Sequence, residues 1–407
     1  MKPAHDDTFL IHAGRAPAGF GGLVNTPPCR ASTLLVDSYA EWQRRRSGGN
    51  PYAHYARFGT PTTRAFEDTL AELEGAHGAL VFPSGLAACS HALLAFLAPG
   101  DHLLMTDNVY GPTRAFALHT LARLGIEVEF FAPAEGADIA RRLRAGTRVV
   151  YLESPGSQTF EVSDVPAMAA AAHARDAIVM MDNTWATPLY FKPFEHGADV
   201  SIHAATKYLA GHSDAILGAA TANARAWPQL QAGAQAFGQT AGPDDLYLAM
   251  RGLRTLSVRL QRHQDNALLL AQRLRDHPAV AQVLHPALPD APGHNCWKRD
   301  FHGASGLFGV VLNPPADPEQ ALARAFDSLR LFGIGLSWGG YESLALPVDP
   351  PARSVTPWQA AGPLLRLHAG LEDGEELWRD LSAALEAYAC ASVGVNVNVS
   401  GAATAVG

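Results

Sequence analysis

Three short stretches place reactive residue types just after apolar runs. In DVSIHAATKYLAGHSD (199–214), Lys207 follows the alternating Val200 and Ile202 and is boxed in by Ala204, Ala205, Thr206 and Gly211 rather than by other charges. Most lysines keep their ammonium in water. One confined at a strand end loses hydration, and its pKa falls from about 10.4 toward the range of a nucleophile or base. In AIVMMDNTWATP, Asp182 directly follows a fully apolar strand. In FPSGLAACSHALLAFL, Ser84 and Gly85 stand between a strand and a helix, where free amides and the helix dipole favour a phosphate. Ligands of open α/β sheets gather beyond the carboxyl ends of the strands. Lysine, acid and anion-binding turn at successive strand ends suit an aldehyde cofactor bearing a phosphate and a ring nitrogen. The lysine forms a Schiff base, the acid keeps the pyridine nitrogen protonated, and the turn holds the phosphate.

The elements that must position these residues follow from the pattern. Apolar runs at 79–82, 102–105, 127–131, 148–152, 177–181, 199–202 and 215–221 alternate with helical stretches, which predicts a mostly parallel sheet covered by helices. Thr60-Pro61 opens a helix whose Phe66, Leu70 and Leu73 share a face and which Gly75 stops. A helical pattern over roughly 244–276 reads as one long connector into a smaller α+β domain, with strands expected at 306–312 and 329–336 and a last helix near 372–389. The expected organisation is an extended arm (1–58), a cofactor-binding α/β domain (59–243), a C-terminal α+β domain (244–390) and a tail (391–407) that lacks charge and aromatics and is expected to be disordered.

Composition narrows the function classes. A net charge of −8 with no charge blocks leaves no basic footprint for nucleic acid or an anionic membrane. Cys29, Cys89, Cys296 and Cys390 are far apart with no CxxC pair, which argues against a disulfide framework or zinc ribbon and for a reducing compartment. No apolar run reaches membrane-spanning length, and MKPAHDDTFL lacks the apolar core of a secretory leader, so a cytoplasmic protein is expected. The histidines form no HxxxH or Cys/His cluster, and no metal site is expected.

Longer motifs carry a resemblance. ESPGS (153–157), MDNTWA (181–186), ATKYLAGHSDA (205–215), RGLRTLSVRL (251–260), HPALPDAPGH (285–294), WKRDF (297–301), SWGGYES (337–343) and LLRLHAGLED (364–373) are long and specific. With them, about residues 7–390 resemble the cystathionine lyase and synthase group of pyridoxal-phosphate enzymes of cysteine and methionine metabolism, and look most like its bacterial β-lyase branch. The resemblance implies an α/β fold of pyridoxal-phosphate fold type I (aspartate-aminotransferase-like). It implies that Lys207 is the Schiff-base lysine and then the proton shuttle, that Asp182 pairs with the pyridinium nitrogen, and that Tyr110 stacks on the ring and assists the exchange of amines. Gly85, Leu86 and Thr206 would bind the phosphate. Tyr55 and Arg57 would reach the same phosphate from a neighbouring subunit of a homotetramer built as a dimer of active dimers, with Tyr55 also facing substrate. Arg366 would hold the substrate α-carboxylate, with Ser337, Trp338 and Tyr110 on the substrate side. The implied reaction is β-elimination of cystathionine to homocysteine, pyruvate and ammonia in methionine biosynthesis, with γ-lyase, γ-synthase or cysteine desulfhydrase activity as alternatives within the group.

The chain departs from the wider group at four places: Ala205 where many relatives have Ser, Ser157 where γ-acting relatives have Asn, Trp338 where those relatives have Leu, and Gly111 where the branch has a larger residue. The first three fit the β-lyase branch, and the last bears on substrate preference. A rival motif is GLSWG (335–339), which fits G-x-S-x-G with Asp349 and His368 following in hydrolase order. That reading of Ser337 is a remote one, because GYESLALPVDP is not helical and only 31 residues separate Ser337 from His368.

Overall fold

The computed structural model describes residues 5–47, 54–349, 352–360 and 362–392. Seven strands form the larger sheet: β1 (Gly78–Phe82), β2 (His102–Thr106), β3 (Glu127–Phe131), β4 (Thr147–Glu153), β5 (Ile178–Asp182), β6 (Val200–His203) and β7 (Gly218–Ala222). Their order is β1-β7-β6-β5-β4-β2-β3, with β6, β5, β4, β2 and β3 parallel and β7 antiparallel to both its neighbours. Alternate residues serve opposite faces. Val149, Tyr151, Met180 and Ile202 pack under the helix Gly85–Phe96, whereas Val150, Leu152, Val179 and Met181 pack under Val165–His173. Both faces are covered, which is why these strands read as unbroken apolar runs. Phe82, Thr106, Glu153, Asp182 and His203 therefore end on one edge.

The smaller sheet is wholly antiparallel: β8 (Val280–Leu284), β9 (Leu307–Leu312), β10 (Leu344–Val348) and β11 (Leu364–His368), in the order β10-β11-β9-β8. Helices Leu256–Arg275, Pro318–Ser328 and Gly374–Ser392 supply Leu270, Leu274, Ala325, Leu377, Leu381 and Leu385 to its core, against Phe308, Val310, Leu365 and Leu367. Among the described residues no helix is long and apolar enough to cross a membrane. All four cysteines are free thiols.

Several elements depart from the pattern reading. The expected single helix over 244–276 is two, Pro243–Arg254 and Leu256–Arg275. Thr255 leaves helical geometry between them, and the buried guanidinium of Arg259 donates to the Gly252 carbonyl (2.8 Å) and to the Tyr208 carbonyl (2.9 Å). The break thus ties the helix pair to the residue after Lys207. No strand forms at 329–336, where only a bridge from Gly333 to Leu344 occurs. The Asp380 carboxylate accepts the amides of Arg330, Leu331 and Phe332, donors a ladder would need. β7 begins at Gly218 rather than 215, because Leu217 bonds Thr206 instead. The arm is not uniformly extended: helices Asp6–His12 and Tyr39–Ser47 form within it, and Phe9 and Leu10 of the first are buried. Of the tail expected to be disordered, 393–407 lie outside the described residues. The helix Pro61–Glu74 matches expectation, with Thr60 capping its start and Gly75 left-handed at its end.

A latch joins the two sheets beside the site edge. Asp107, just past β2, is 1% exposed. It accepts Arg114 Nη1 (2.7 Å) and the amides of Ser354, Val355 and Thr356 from the segment between β10 and β11. These donors outweigh the cost of burial and hold its carboxyl below the usual carboxylate range. Replacing Asp107 by Asn leaves Arg114, itself buried, without its anion. The expected loss is about 3–5 kcal/mol, read as a lower urea midpoint, and an unchanged midpoint counts against the latch.

Candidate active site

Lys207 lies in the turn after β6, half-buried, with its amide on the Ala204 carbonyl (3.0 Å). Its Nζ donates to Ser337 Oγ at 2.5 Å and lies 5.3 Å from the ring centroid of Trp338. Burial pulls its pKa down to about 8, the positive charge of Arg366 pulls the same way, and the negative charge of Asp182 opposes them. The confinement expected from the sequence is therefore present: this amine sheds its proton far more readily than a solvated lysine.

Ser337 comes from the other sheet's side of the molecule, in the segment before β10. It has φ +80°, a left-handed conformation that costs a non-glycine residue energy and persists only where surrounding contacts fix it. Three contacts do so here. Lys207 holds its hydroxyl, Arg366 Nη2 donates to its carbonyl (3.0 Å), and Trp338 packs its ring 5.3 Å from that of Tyr208. Arg366 projects from the middle of β11. It also faces Tyr110, whose pKa burial raises while the Arg366 charge draws it down.

Asp182 closes β5. Its Oδ1 accepts the amide (3.0 Å) and hydroxyl (2.6 Å) of Thr184, while its Oδ2 meets only the Cys89 thiol, at 3.8 Å. Among the described residues no lysine or arginine pairs with it, and burial raises its pKa. A buried carboxylate short of a cation is a fitting acceptor for a protonated ring nitrogen. Its ladder partner Glu153 accepts the Tyr110 amide at 2.6 Å, and burial beside Asp182 raises its pKa well above the usual range. Glu153 thus holds the backbone of Tyr110, whose side chain is 45% exposed at the mouth of the site.

The anion-binding turn is equally fitting. Ser84 Oγ caps the helix Gly85–Phe96 by accepting the Ala87 amide (3.1 Å), which leaves the Gly85 and Leu86 amides with no intrahelical partner. A Cβ on Gly85 would come within 2.5 Å of the Ala204 Cβ, and one on Gly218 within 2.1 Å of the Ser84 carbonyl. Only glycines allow this cup beside the Lys207 turn. Thr206 sits beside Lys207, with its hydroxyl engaged by Leu217: it donates to the Leu217 carbonyl (3.2 Å) and accepts the Leu217 amide (2.9 Å). Its proton must turn away from Leu217 to reach a phosphate.

The structure brings Lys207, Asp182, Tyr110, Arg366, Ser337, Trp338, Gly85 and Leu86 to one edge. Tyr55 and Arg57 are elsewhere in the chain. Tyr55 bridges to Thr33, and Arg57 stacks over Phe58, 4.5 Å from its centroid. The hydrolase arrangement does not assemble: His368 bonds the Gly339 amide and Glu342 carbonyl, no helix follows Ser337, and Asp349 is exposed. Among the described residues no group of three or more His, Cys, Asp or Glu could hold a metal ion. Thr184, Cys89, Glu153 and Asp107 were not picked out as site residues from the sequence. Glu153 and Asp107 sit at or just past strand ends as Asp182 does, so the same rule could have found them. Cys89 carries no such signal.

Comparison with known proteins bears on the family and the fold. The family model described as Cys/Met metabolism PLP-dependent enzyme matches residues 7–386. The chain is 47% identical over 384 residues to the cystathionine beta-lyase MetC of Escherichia coli, covering 93% of this chain and 97% of that one. It is 45% identical over 387 residues to the cystathionine beta-lyase of Salmonella typhimurium, covering 93% and 97%. A crystal structure of metB from Corynebacterium glutamicum superposes with a TM-score of 0.84 at 30% identity, covering 94% of this chain and 98% of that one.

The lowered pKa of Lys207 has a measurable consequence. Its amine is protonated below about 8 and free above it. The rate at which cofactor-free protein captures pyridoxal phosphate is therefore expected to rise with pH through about 8 and level off above it. A rise that continues toward pH 10 or so, the range of a solvated lysine, would show that Lys207 keeps its hydration.

Proposed function

Because the chain belongs to the Cys/Met metabolism family of pyridoxal-phosphate-dependent enzymes, we propose that it is the carbon–sulfur lyase that splits the Cβ–S bond of L-cystathionine. Homocysteine leaves, and the remaining fragment takes up water to give pyruvate and ammonia. The observation that carries this reading is the 2.5 Å contact between Lys207 Nζ and Ser337 Oγ, on a turn whose carbonyl also holds Arg366. One turn thereby fixes a readily deprotonated amine against a guanidinium suited to a carboxylate. The Escherichia coli and Salmonella typhimurium relatives that carry the name cystathionine beta-lyase support the choice of substrate.

Bound pyridoxal phosphate supplies an electrophilic carbon and a ring that accepts the electron pair left when the substrate α-carbon loses its proton. The protein's part is placement and proton transfer. Gly85 and Leu86 amides, with Thr206 once its hydroxyl turns, would hold the phosphate, and Asp182 would face the ring nitrogen. Arg366 grips the substrate carboxylate with its two-pronged guanidinium, a geometry lysine cannot offer. Lys207 Nζ, readily deprotonated in its confined setting, would take the α-proton, a step in which a placed base typically contributes about 10²–10⁴-fold. Tyr110, its backbone held by Glu153, would lie against the cofactor ring. Tyr55 and Arg57 serve the site of a second copy, in a homotetramer of two dimers working in the cytoplasm. Trp338, packed against Lys207, restricts the substrate's swing and so disfavours the second proton removal, from Cβ, that γ-chemistry requires.

The test is the visible spectrum of the purified protein and the keto acid it releases from cystathionine. A yellow protein giving pyruvate and homocysteine is expected, with Lys207→Ala slower by about 10²–10⁴-fold. Release of 2-oxobutyrate and cysteine would move the protein to γ-cleavage, and a protein that stays colourless with added pyridoxal phosphate would overturn the cofactor site. Trp338→Leu is expected to raise the proportion of γ-products. An unchanged β-to-γ ratio would remove Trp338 from the account of specificity.

A further inference from the structure

Behind the strained turn stands a histidine that the reaction does not use. His368 ends β11, two residues after Arg366 and on the same face, and is 1% exposed. Its Nε2 lies 3.1 Å from the Gly339 amide and its Nδ1 lies 3.1 Å from the Glu342 carbonyl. An amide can only donate and a carbonyl can only accept, so both contacts are satisfied by one state alone: the neutral ring with its proton on Nδ1. The Tyr208 ring packs 5.8 Å away, and the neighbours that can carry positive charge oppose protonation. Lys207, Arg366 and the His263 ring, 5.1 Å away, all carry or can gain positive charge. Burial and these neighbours hold its pKa well below the usual histidine value.

The held turn touches the lysine directly. Gly339 has φ +85°, and a Cβ there would meet the Tyr208 amide nitrogen at 2.8 Å and Lys207 Cα at 3.0 Å. The 337–339 turn therefore lies against the Lys207 backbone while its serine engages Nζ. We propose that His368 is a positioning residue: as a permanent acceptor for the Gly339 amide, it keeps the Ser337–Gly339 turn in the left-handed form that sets Lys207 Nζ and Arg366 relative to each other. This rests on the roles of Lys207 and Arg366 given above, and it adds a residue that touches neither cofactor nor substrate.

The experiment compares three variants of the holoenzyme by KM, kcat, melting temperature and the pH midpoint of the cofactor's visible absorption. In His368→Gln the side-chain oxygen can replace Nε2 as acceptor, and near wild-type behaviour is expected. In His368→Leu and His368→Asn the acceptor is lost or too short to reach. Each leaves the Gly339 amide buried and unpaired, and kcat/KM is expected to fall about tenfold to a hundredfold, with a raised KM and a displaced absorption midpoint. A Leu variant that loses only melting temperature while keeping midpoint and KM overturns the proposal, as does a Gln variant impaired as badly as Leu. If the Leu variant does not fold, the Gln–Asn pair decides, and equal behaviour overturns it. A wild-type protein with no pyridoxal absorption overturns the underlying site reading as well, and so is told apart from failure of the positioning role alone.

Discussion

The structure turns on keeping one lysine amine out of water without leaving it unbonded. A buried ammonium with no partner is among the costliest groups a protein can hold, and it lowers its pKa rather than remain charged. Lys207 is placed between these limits: its Nζ has one hydrogen-bond acceptor, Ser337 Oγ, and no carboxylate within ion-pair reach among the described residues. A carboxylate there would have held the proton on. The arrangement requires that a turn from beyond the smaller sheet's helix Pro318–Ser328 reach across to the end of β6. This explains why so much backbone is anchored nearby. Arg259 fixes the carbonyl of Tyr208, the Tyr208 hydroxyl accepts the Gly306 amide (2.9 Å), and the Asp107 latch ties the segment before β11 to the end of β2.

Charge is sorted along this edge by strand order. Glu153 and Asp182 are ladder partners at the ends of β4 and β5; burial pushes both pKa values up, and the charge of Asp182 adds to the rise of Glu153, the stronger of the two. The positive groups, Lys207 and Arg366, arrive from the turn after β6 and from the other sheet. An amino-acid substrate has a carboxylate for Arg366, and a pyridinium ring has a cation for Asp182. Each ligand charge would thus meet a protein group already desolvated on its behalf, in a setting where the attraction is stronger than in water.

Much of this was legible in the sequence because it rests on local signals. Apolar runs closed by Lys207, Asp182 and Ser84-Gly85 are short-range patterns, and the structure carries all three stretches to one edge. What escaped was non-local. The break at Thr255 depends on Arg259 reaching Gly252 and Tyr208 across a fold, and the run at 329–336 has strand-like composition but gives three of its amides to Asp380, 48 to 50 residues away. Cys89 enters the site only because the helix Gly85–Phe96 lies on the same sheet face as Asp182. No pattern within either segment announces that approach. Thr206 shows the opposite limit: its position was legible, but its bonding to Leu217 was not.

The spacing between the Gly85 cup and the Asp182 carboxylate is itself enforced by a closed circuit of contacts. Gly85 packs on Ala204, the Ala204 amide donates to Thr184 Oγ1 (2.9 Å), Thr184 donates to Asp182, and Asp182 meets Cys89, which lies one turn along the helix that Gly85 begins. Each link joins neighbours across β5, β6 and that helix, so lengthening any one strains the others. Packed interiors yield little to such strain. The cup therefore cannot drift relative to the carboxylate, and a ligand that fills both must have a fixed separation between its anionic and cationic ends. The opposite side of the site is formed by Tyr110 and the Ser337 turn, where a substrate would meet the protein. There the strained backbone of Ser337, rather than a rigid strand, decides how the amine and the guanidinium are presented.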